Sequence, residues 1–198
     1  MTKQRLSFWI RCGWRVSATL LLFVAVINSA GAQTKASVQE AIDKALLAAP
    51  AELREGAAVI RWKSDFSYET LKKGTNSLVC VDLSGRPEEL PFIVICTGVG
   101  NMDRMIQNQH LEASGDVNKT KALVEAAEKN GTRVKPEYGS VIYHFMGPDR
   151  EHARTRIVVA LPGATTQSTG LPEHADQSGR AWIVNPGTTN ACLKLDGP

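Results

Sequence analysis

Four histidines, three cysteines beyond residue 32 and a spread of acids are the side chains of this 198-residue chain best suited to chemistry. His110, His144, His152 and His174 are far apart, and neither a His-Glu-x-x-His helix nor a Cys-x-x-Cys pair groups them. The pattern therefore assigns no metal, and no fingerprint calls for a cofactor. A histidine beside a carboxylate can move protons during hydrolysis, and His144 with Asp149 or Glu151 is the one set the chain offers for that role. A nucleophile is harder to find. No Gly-x-Ser-x-Gly elbow is present, and Cys192 would act only if folding brought His144 beside it; otherwise it is an inert buried thiol. Thr97-Gly-Val-Gly-Asn101 precedes a helical pattern, so Gly98, Gly100 and Asn101 are candidates for holding an anion on free backbone donors. The stretch lacks the third glycine of a dinucleotide fingerprint and the Lys-Ser/Thr of a P-loop, and a plain turn with a helix cap explains it equally.

Export and charge bound where such groups would work. Lys3, Arg5, Arg11 and Arg15 precede the uncharged run Val16–Ile27, and Ala30-Gly-Ala32 follows it. That order reads as a signal peptide over 1–32, cleaved before Gln33, because about 12 apolar residues fall short of the roughly 20 that span a bilayer. The expected product is periplasmic or secreted, with no stable membrane anchor. The full chain has 23 basic and 20 acidic residues, but four of the bases and none of the acids lie in 1–32, which leaves 19 against 20. A near-neutral mature chain gives no reason to expect nucleic acid as a partner. Lys72-Lys73 and the cluster from Arg150 to Arg156 read as solvated edges.

The elements that would position these groups follow from periodicity. Ser37-Val-Gln-Glu40 has the form of a capping box, and Val38, Ile42, Ala45, Leu46 and Ala49 give a helix over about 37–49, stopped by Pro50. Residues 58–62, 68–71 and 77–82 read as three strands of an antiparallel meander, with a turn at Lys73-Gly74. Phe92–Cys96 is either a further strand or a buried helix start. Two helices are expected over about 99–113 and 119–130, the second capped by Asn118 and ended by Gly131. Met102, Met105, Ile106 and Gln109 share one side of the first of these helices, and the methionines read as core filler. Residues 140–146 and 155–161 read as strands, 165–178 as a surface excursion able to act as a lid, and 181–184 with 191–195 as a hairpin around Asn185-Pro-Gly187. The expected fold is α+β: one domain over 33–198, with a mainly antiparallel sheet of six or seven strands and three helices packed on one face.

Several pieces together, residues 45–60 (Ala-Leu-Leu-Ala-Ala-Pro-Ala-Glu-Leu-Arg-Glu-Gly-Ala-Ala-Val-Ile), Gly74-Thr-Asn76, Cys80 and Cys96, resemble a group of uncharacterised secreted bacterial proteins. That group has a signal peptide, a Gly-Thr-Asn segment and a cysteine pair, although an aromatic residue usually stands where this chain has Leu78. The resemblance implies export and the pair but no activity. Three cysteines remain after cleavage, an odd number, and a Cys80–Cys96 disulfide leaves Cys192 over. The functional expectation is an exported, non-catalytic protein that binds an unknown small molecule or a protein partner. A secreted hydrolase built around His144 is the alternative, and an assembly factor linked through Cys192 is a third.

Overall fold

The computed structural model describes residues 35–86, 89–174 and 181–196. The segment expected to be a signal peptide, 1–32, lies outside the described residues, and everything below concerns the compact unit Glu40–Pro198 unless stated. The strands are β1 (Ala58–Trp62), β2 (Tyr68–Lys72), β3 (Leu78–Asp82), β4 (Phe92–Gly98), β5 (Val141–Gly147), β6 (Arg154–Ala160), β7 (Trp182–Val184) and β8 (Cys192–Asp196). The helices are α1 (35–45), α2 (Ala51–Arg54), α3 (Met102–Leu111), α4 (Val117–Lys129) and α5 (Thr166–Thr169). The strands form one sheet in the order β2-β1-β3-β4-β5-β6-β8-β7.

β4 settles the question left open by Phe92–Cys96. Successive side chains of a strand point to opposite faces, and here both sets are buried: Phe92, Val94 and Cys96 on one face, Ile93 and Thr97 on the other. A strand buried on both faces needs neighbours on both sides and cover above and below. β3 and β5 supply the neighbours, both antiparallel. A turn of 3-10 helix, Leu46–Ala48, continues α1 and covers one face, where the Cys96 Sγ lies 3.7 Å from the Ala45 carbonyl oxygen. On the other face Met105 of α3 packs into a cluster with Ile60, Val79, Val81, Leu83 and Ile93. The helices therefore lie on two faces, not on the single face expected, because a continuous apolar run cannot leave one side to water. They number five among the described residues, not three; the two extra ones are the single-turn α2 and α5.

The sheet is also wider than expected, with eight strands, and it is mixed. β1 and β2 pair antiparallel, but β1 and β3 run parallel, with Val59 opposite Cys80. The expected β2–β3 turn at Lys73-Gly74 is instead a hop over the start of β1. β2 returns the chain to that end of β1, so a few residues suffice to begin a parallel neighbour on its other side. Glycine is required for the hop: a Cβ on Gly74 would lie 2.7 Å from the backbone nitrogen of Ala58. Thr75 and Asn76 then donate their backbone N–H groups to the Gly56 carbonyl at 2.8 and 3.0 Å. The Asn76 side chain donates to Leu53 O and accepts from Leu78 N, both at 2.9 Å. The Gly-Thr-Asn segment thus sets the entry to β3.

Smaller differences have local causes. The described part of α1 begins at residue 35, so Ser37 sits inside the helix and does not cap it. α4 is capped by Asp116, whose carboxylate accepts from the backbone of Asn118 and Lys119, two residues ahead of the expected cap. The excursion after 165 holds the short helix α5, opened by a reciprocal Thr165–Ser168 capping box and ended at Gly170; residues 175–178 of it lie outside the described residues. Ile183 of β7 is fully buried with Ala164 and Ala191 in a second, smaller core. Cys80 and Cys96 face each other across β3 and β4 and are joined, Sγ to Sγ at 2.05 Å, while Cys192 is free.

The disulfide encloses a loop of about 15 residues, for which chain entropy gives about 3 kcal/mol of stabilisation. Replacing both cysteines by alanine should lower the free energy of urea unfolding by that order, and mass spectrometry of oxidised protein should find Cys80 and Cys96 without free thiols and Cys192 with one.

Candidate functional site

Side chains at paired positions across an antiparallel ladder share a face, so the register identifies what lies under α3. From β4 come Ile95 and Thr97, from β5 Ile142, His144 and Met146, and from β6 Arg156, Val158 and Ala160. β8 adds Cys192 and Lys194. α3 packs closely over β3 and the near side of β4, and beyond it these residues floor a cavity of about 410 Å³. Its walls are α3, the β3–β4 connection at Arg86 and Glu89, Pro136, and the segment around Asn185 and Asn190.

The wall toward Asn190 is held by a buried cation. Arg104 is 6% exposed. Its guanidinium donates to the Val134 carbonyl, to Thr189 Oγ1 at 3.1 Å and to Asn190 Oδ1 at 3.1 Å. Arg133 beside it donates to Gln107 Oε1 and Asn108 Oδ1 at 2.6 Å. Burial above all, with the neighbouring Arg133, lowers the Arg104 pKa to about 10, against the opposing pull of Glu128. Glu128 of α4 accepts from the Thr189 hydroxyl and, at 3.2 Å, from its backbone nitrogen. At the opposite end Arg86 donates to Gln109 and lies 3.6 Å from Glu112.

Of the residues singled out from sequence, His144 is the one the fold brings into the cavity with chemical potential. Its Nδ1 is buried without a hydrogen-bond partner. Burial first, and then the charge of Arg156, lower its pKa to about 4, with Lys194 acting in the same sense. The imidazole is therefore neutral at physiological pH. Asp149 and Glu151 do not join it. They lie in the β5–β6 hairpin turn, outside the cavity lining, and Asp149 binds His152 instead, with both carboxylate oxygens 2.8 Å from its Nδ1. The His152 backbone N–H, which donates to Asp149 Oδ1 at 2.8 Å, and after it the ring hydrogen bond lower the pKa of the exposed Asp149 carboxyl.

Cys192 does line the same cavity, yet it sits opposite Ala160 while His144 sits opposite Arg156. Four residues along β6 separate the two rows, roughly 13 Å at the usual rise, and the two residues are two strands apart. They form no dyad, and burial raises the Cys192 pKa, which leaves it a thiol. His110 packs against the Phe66 ring at 4.9 Å, and His174 is exposed. Among the described residues no group of three or more His, Cys, Asp or Glu could hold a metal ion.

The turn from Thr97 to Asn101 is occupied by the chain itself. Asn101, 3% exposed, donates to Thr97 Oγ1 at 2.8 Å and to Ser140 Oγ at 2.9 Å, and accepts from Glu137 N at 2.8 Å. A Cβ on Gly100 would fall 2.5 Å from the Glu137 carboxylate. The Glu137 carboxylate thus occupies the space beside Gly100 that a side chain would need. No described residue of the expected lid, 165–174, lines the cavity, and 175–178 lie outside the described residues.

Arg104, Arg156 and Lys194 were missed from sequence. Arg156 had a readable signal, since it alternates in phase with Val158 and Ala160 and so must share their face; reading 150–156 as a solvated charge run hid it. Arg104 had none, because its acceptors come from segments 30 and 85 residues away.

Among the described residues no helix is long and apolar enough to cross a membrane. Comparison with protein-family models, curated proteins and solved structures finds no match, so the site geometry alone bears on function.

The pKa of His144 links the site to stability. The unfolded chain, at 6.5, binds the proton more tightly than the folded one, at about 4. The stability this neutral imidazole contributes is complete above pH 6.5 and is lost as pH falls toward 4, by up to about 3 kcal/mol. Urea unfolding at pH 7, 5.5 and 4 should show that slope, and His144→Leu should flatten it by about the same amount.

Proposed function

We propose that this is an exported, non-catalytic protein that holds a small molecule between α3 and the β4–β5–β6–β8 part of the sheet. The observation that carries the reading is the cavity, which falls in the size range of small-molecule sites and combines an apolar floor with a few convergent polar groups. A buried Nδ1 without a partner costs free energy that a ligand would recover. The disulfide supports a non-cytoplasmic setting, since such bonds persist where the environment is oxidising. The likeness to exported bacterial proteins supports the same location.

The alternative, a hydrolase around His144, has less in its favour. A general base needs a group that orients its ring and a nucleophile within reach. Asp149 is committed to His152, and Cys192 lies rows away. A link between molecules through Cys192 fits poorly as well, because that thiol faces the cavity.

Protein isolated from a periplasmic preparation should carry a small molecule that native mass spectrometry detects and denaturation releases. Val158→Trp, which fills the floor, should abolish it while circular dichroism stays unchanged. Hydrolysis of ester, phosphate or peptide substrates that disappears in His144→Ala with the fold intact would overturn the non-catalytic reading.

A further inference from the structure

Three arginines around the cavity each take the oxygen of a carboxamide. Arg133 donates to Asn108 Oδ1 at 2.6 Å, Arg104 to Asn190 Oδ1 at 3.1 Å, and Arg86 to Gln109 Oε1. A guanidinium has donors and no acceptor, so it can bind only the oxygen of an amide. Each N–H2 group is thereby turned away from its arginine, and it finds no acceptor among the described residues. All three amides line the cavity. Asn108 and Gln109 do so because Arg104, Met105, Asn108, Gln109 and Glu112 recur at helical spacing and give α3 one inward side. Gln109 is 4% exposed, so its donors have the cavity and little else to face.

The cations themselves are already engaged. Arg86 lies 3.6 Å from Glu112, Arg104 is held by three neutral oxygens, and Arg156 stands opposite Asp196 in the β6–β8 ladder. Lys194 rests over the Trp182 ring, 5.5 Å from its centroid. What the lining leaves open is a set of neutral donors beside an apolar floor of Ile93, Ile95, Ile142, Met146 and Val158.

The geometry points to a neutral, donor-free ligand with acceptor oxygens on an apolar body, the chemistry of an ester or a lactone, those oxygens accepting from Gln109 Nε2 and Asn108 Nδ2. This rests on the cavity reading above and narrows it to one chemical class. A hydrocarbon entering the site would take water from the N–H2 groups and offer them nothing in return, which costs affinity. A molecule whose polar group is only a donor would set N–H against N–H. A carboxylate would give up its hydration to meet cations that are already held.

Three ten-carbon probes test the assignment by calorimetry on ligand-stripped protein: δ-decalactone, butylbenzene and decanoate. The lactone should bind about tenfold tighter than either of the others, which is the worth of one hydrogen bond. Gln109→Glu keeps an oxygen for Arg86 and replaces the inward N–H2 by a second oxygen. It should weaken the lactone about tenfold with circular dichroism unchanged and the melting temperature not lowered, and Asn108→Asp should do the same while still serving Arg133. A lactone affinity that stays at the wild-type value in both variants overturns the inference, because amides that only hold the arginines would tolerate that exchange. Butylbenzene binding as tightly as the lactone overturns the need for an acceptor, and decanoate binding as tightly overturns neutrality; both leave the cavity reading standing. Failure of all three probes to bind overturns the inference, and the native mass measurement decides separately whether the cavity reading falls with it.

Discussion

Everything in this fold answers to the burial of β4 on both faces. Val94 and Cys96 are sealed from solvent on one side and Thr97 on the other, so the strand cannot sit at an edge or on a one-sided sheet. It occupies an interior position with residues 40–45 of α1 and the 3-10 turn that follows on one face and α3 on the other. The cover is narrower than what it covers. Eight strands at the usual spacing make a sheet roughly 34 Å across, while a helix with its side chains is about 10 Å wide and a ten-residue one about 15 Å long. α3 therefore closes the β3–β4 half, and among the described residues its flank and the loops around 86, 136 and 190 enclose the space over β5, β6 and β8. The cavity is that shortfall, and its position follows from which strand had to be covered first.

Enclosing loops need fixing, and Arg104 does it. Its fork reaches the segments near 134 and 190 at once, using neutral oxygens as acceptors. A guanidinium buried this far is tolerated because its donors are satisfied and its charge is weakly hydrated compared with an ammonium. α4, which buries little beyond Ala127, is tied in through Glu128 and Thr189. The polar residues at this end thus act as a bracket for the wall, whereas those at the other end, Arg86 with Glu112, stay half-open to water.

Local signals were legible where the backbone obeys them. The periodicity located α3, α4 and seven of the eight described strands to within about two or three residues, left Phe92–Cys96 open between strand and helix, and the cysteine count gave an odd thiol without saying which two would pair. Pairing was less legible. Lys73-Gly74 reads as a turn because glycine serves turns and close approaches alike, and only the nearness of Ala58 decides between them. The number of covered faces was misjudged because an unbroken apolar run in β4 carries no period. His144 was identified from its chemistry, but its partners were sought nearby in sequence, at Asp149 and Glu151. On a sheet the groups that act on it come from neighbouring strands, and they are the cations Arg156, opposite on β6, and Lys194 on β8 beyond it. Gly100 reads equally as a cap or an anion site because glycine serves close approaches of any kind, and here the close neighbour is the Glu137 side chain.

The strand order has a consequence for assembly. From β2 through β6 each strand finds a neighbour already made: β2 and β3 flank β1, and β4, β5 and β6 then join in succession. The rule breaks at the end, where β7 borders only β8, and β8 lies between it and β6. As the chain lengthens, the three residues of β7 have no ladder to join until 192–196 slide in beside them. The row that carries Cys192 and Lys194 is thus the last of the described strands to arrive, and the floor of the cavity is completed only after β1 to β7 have been made.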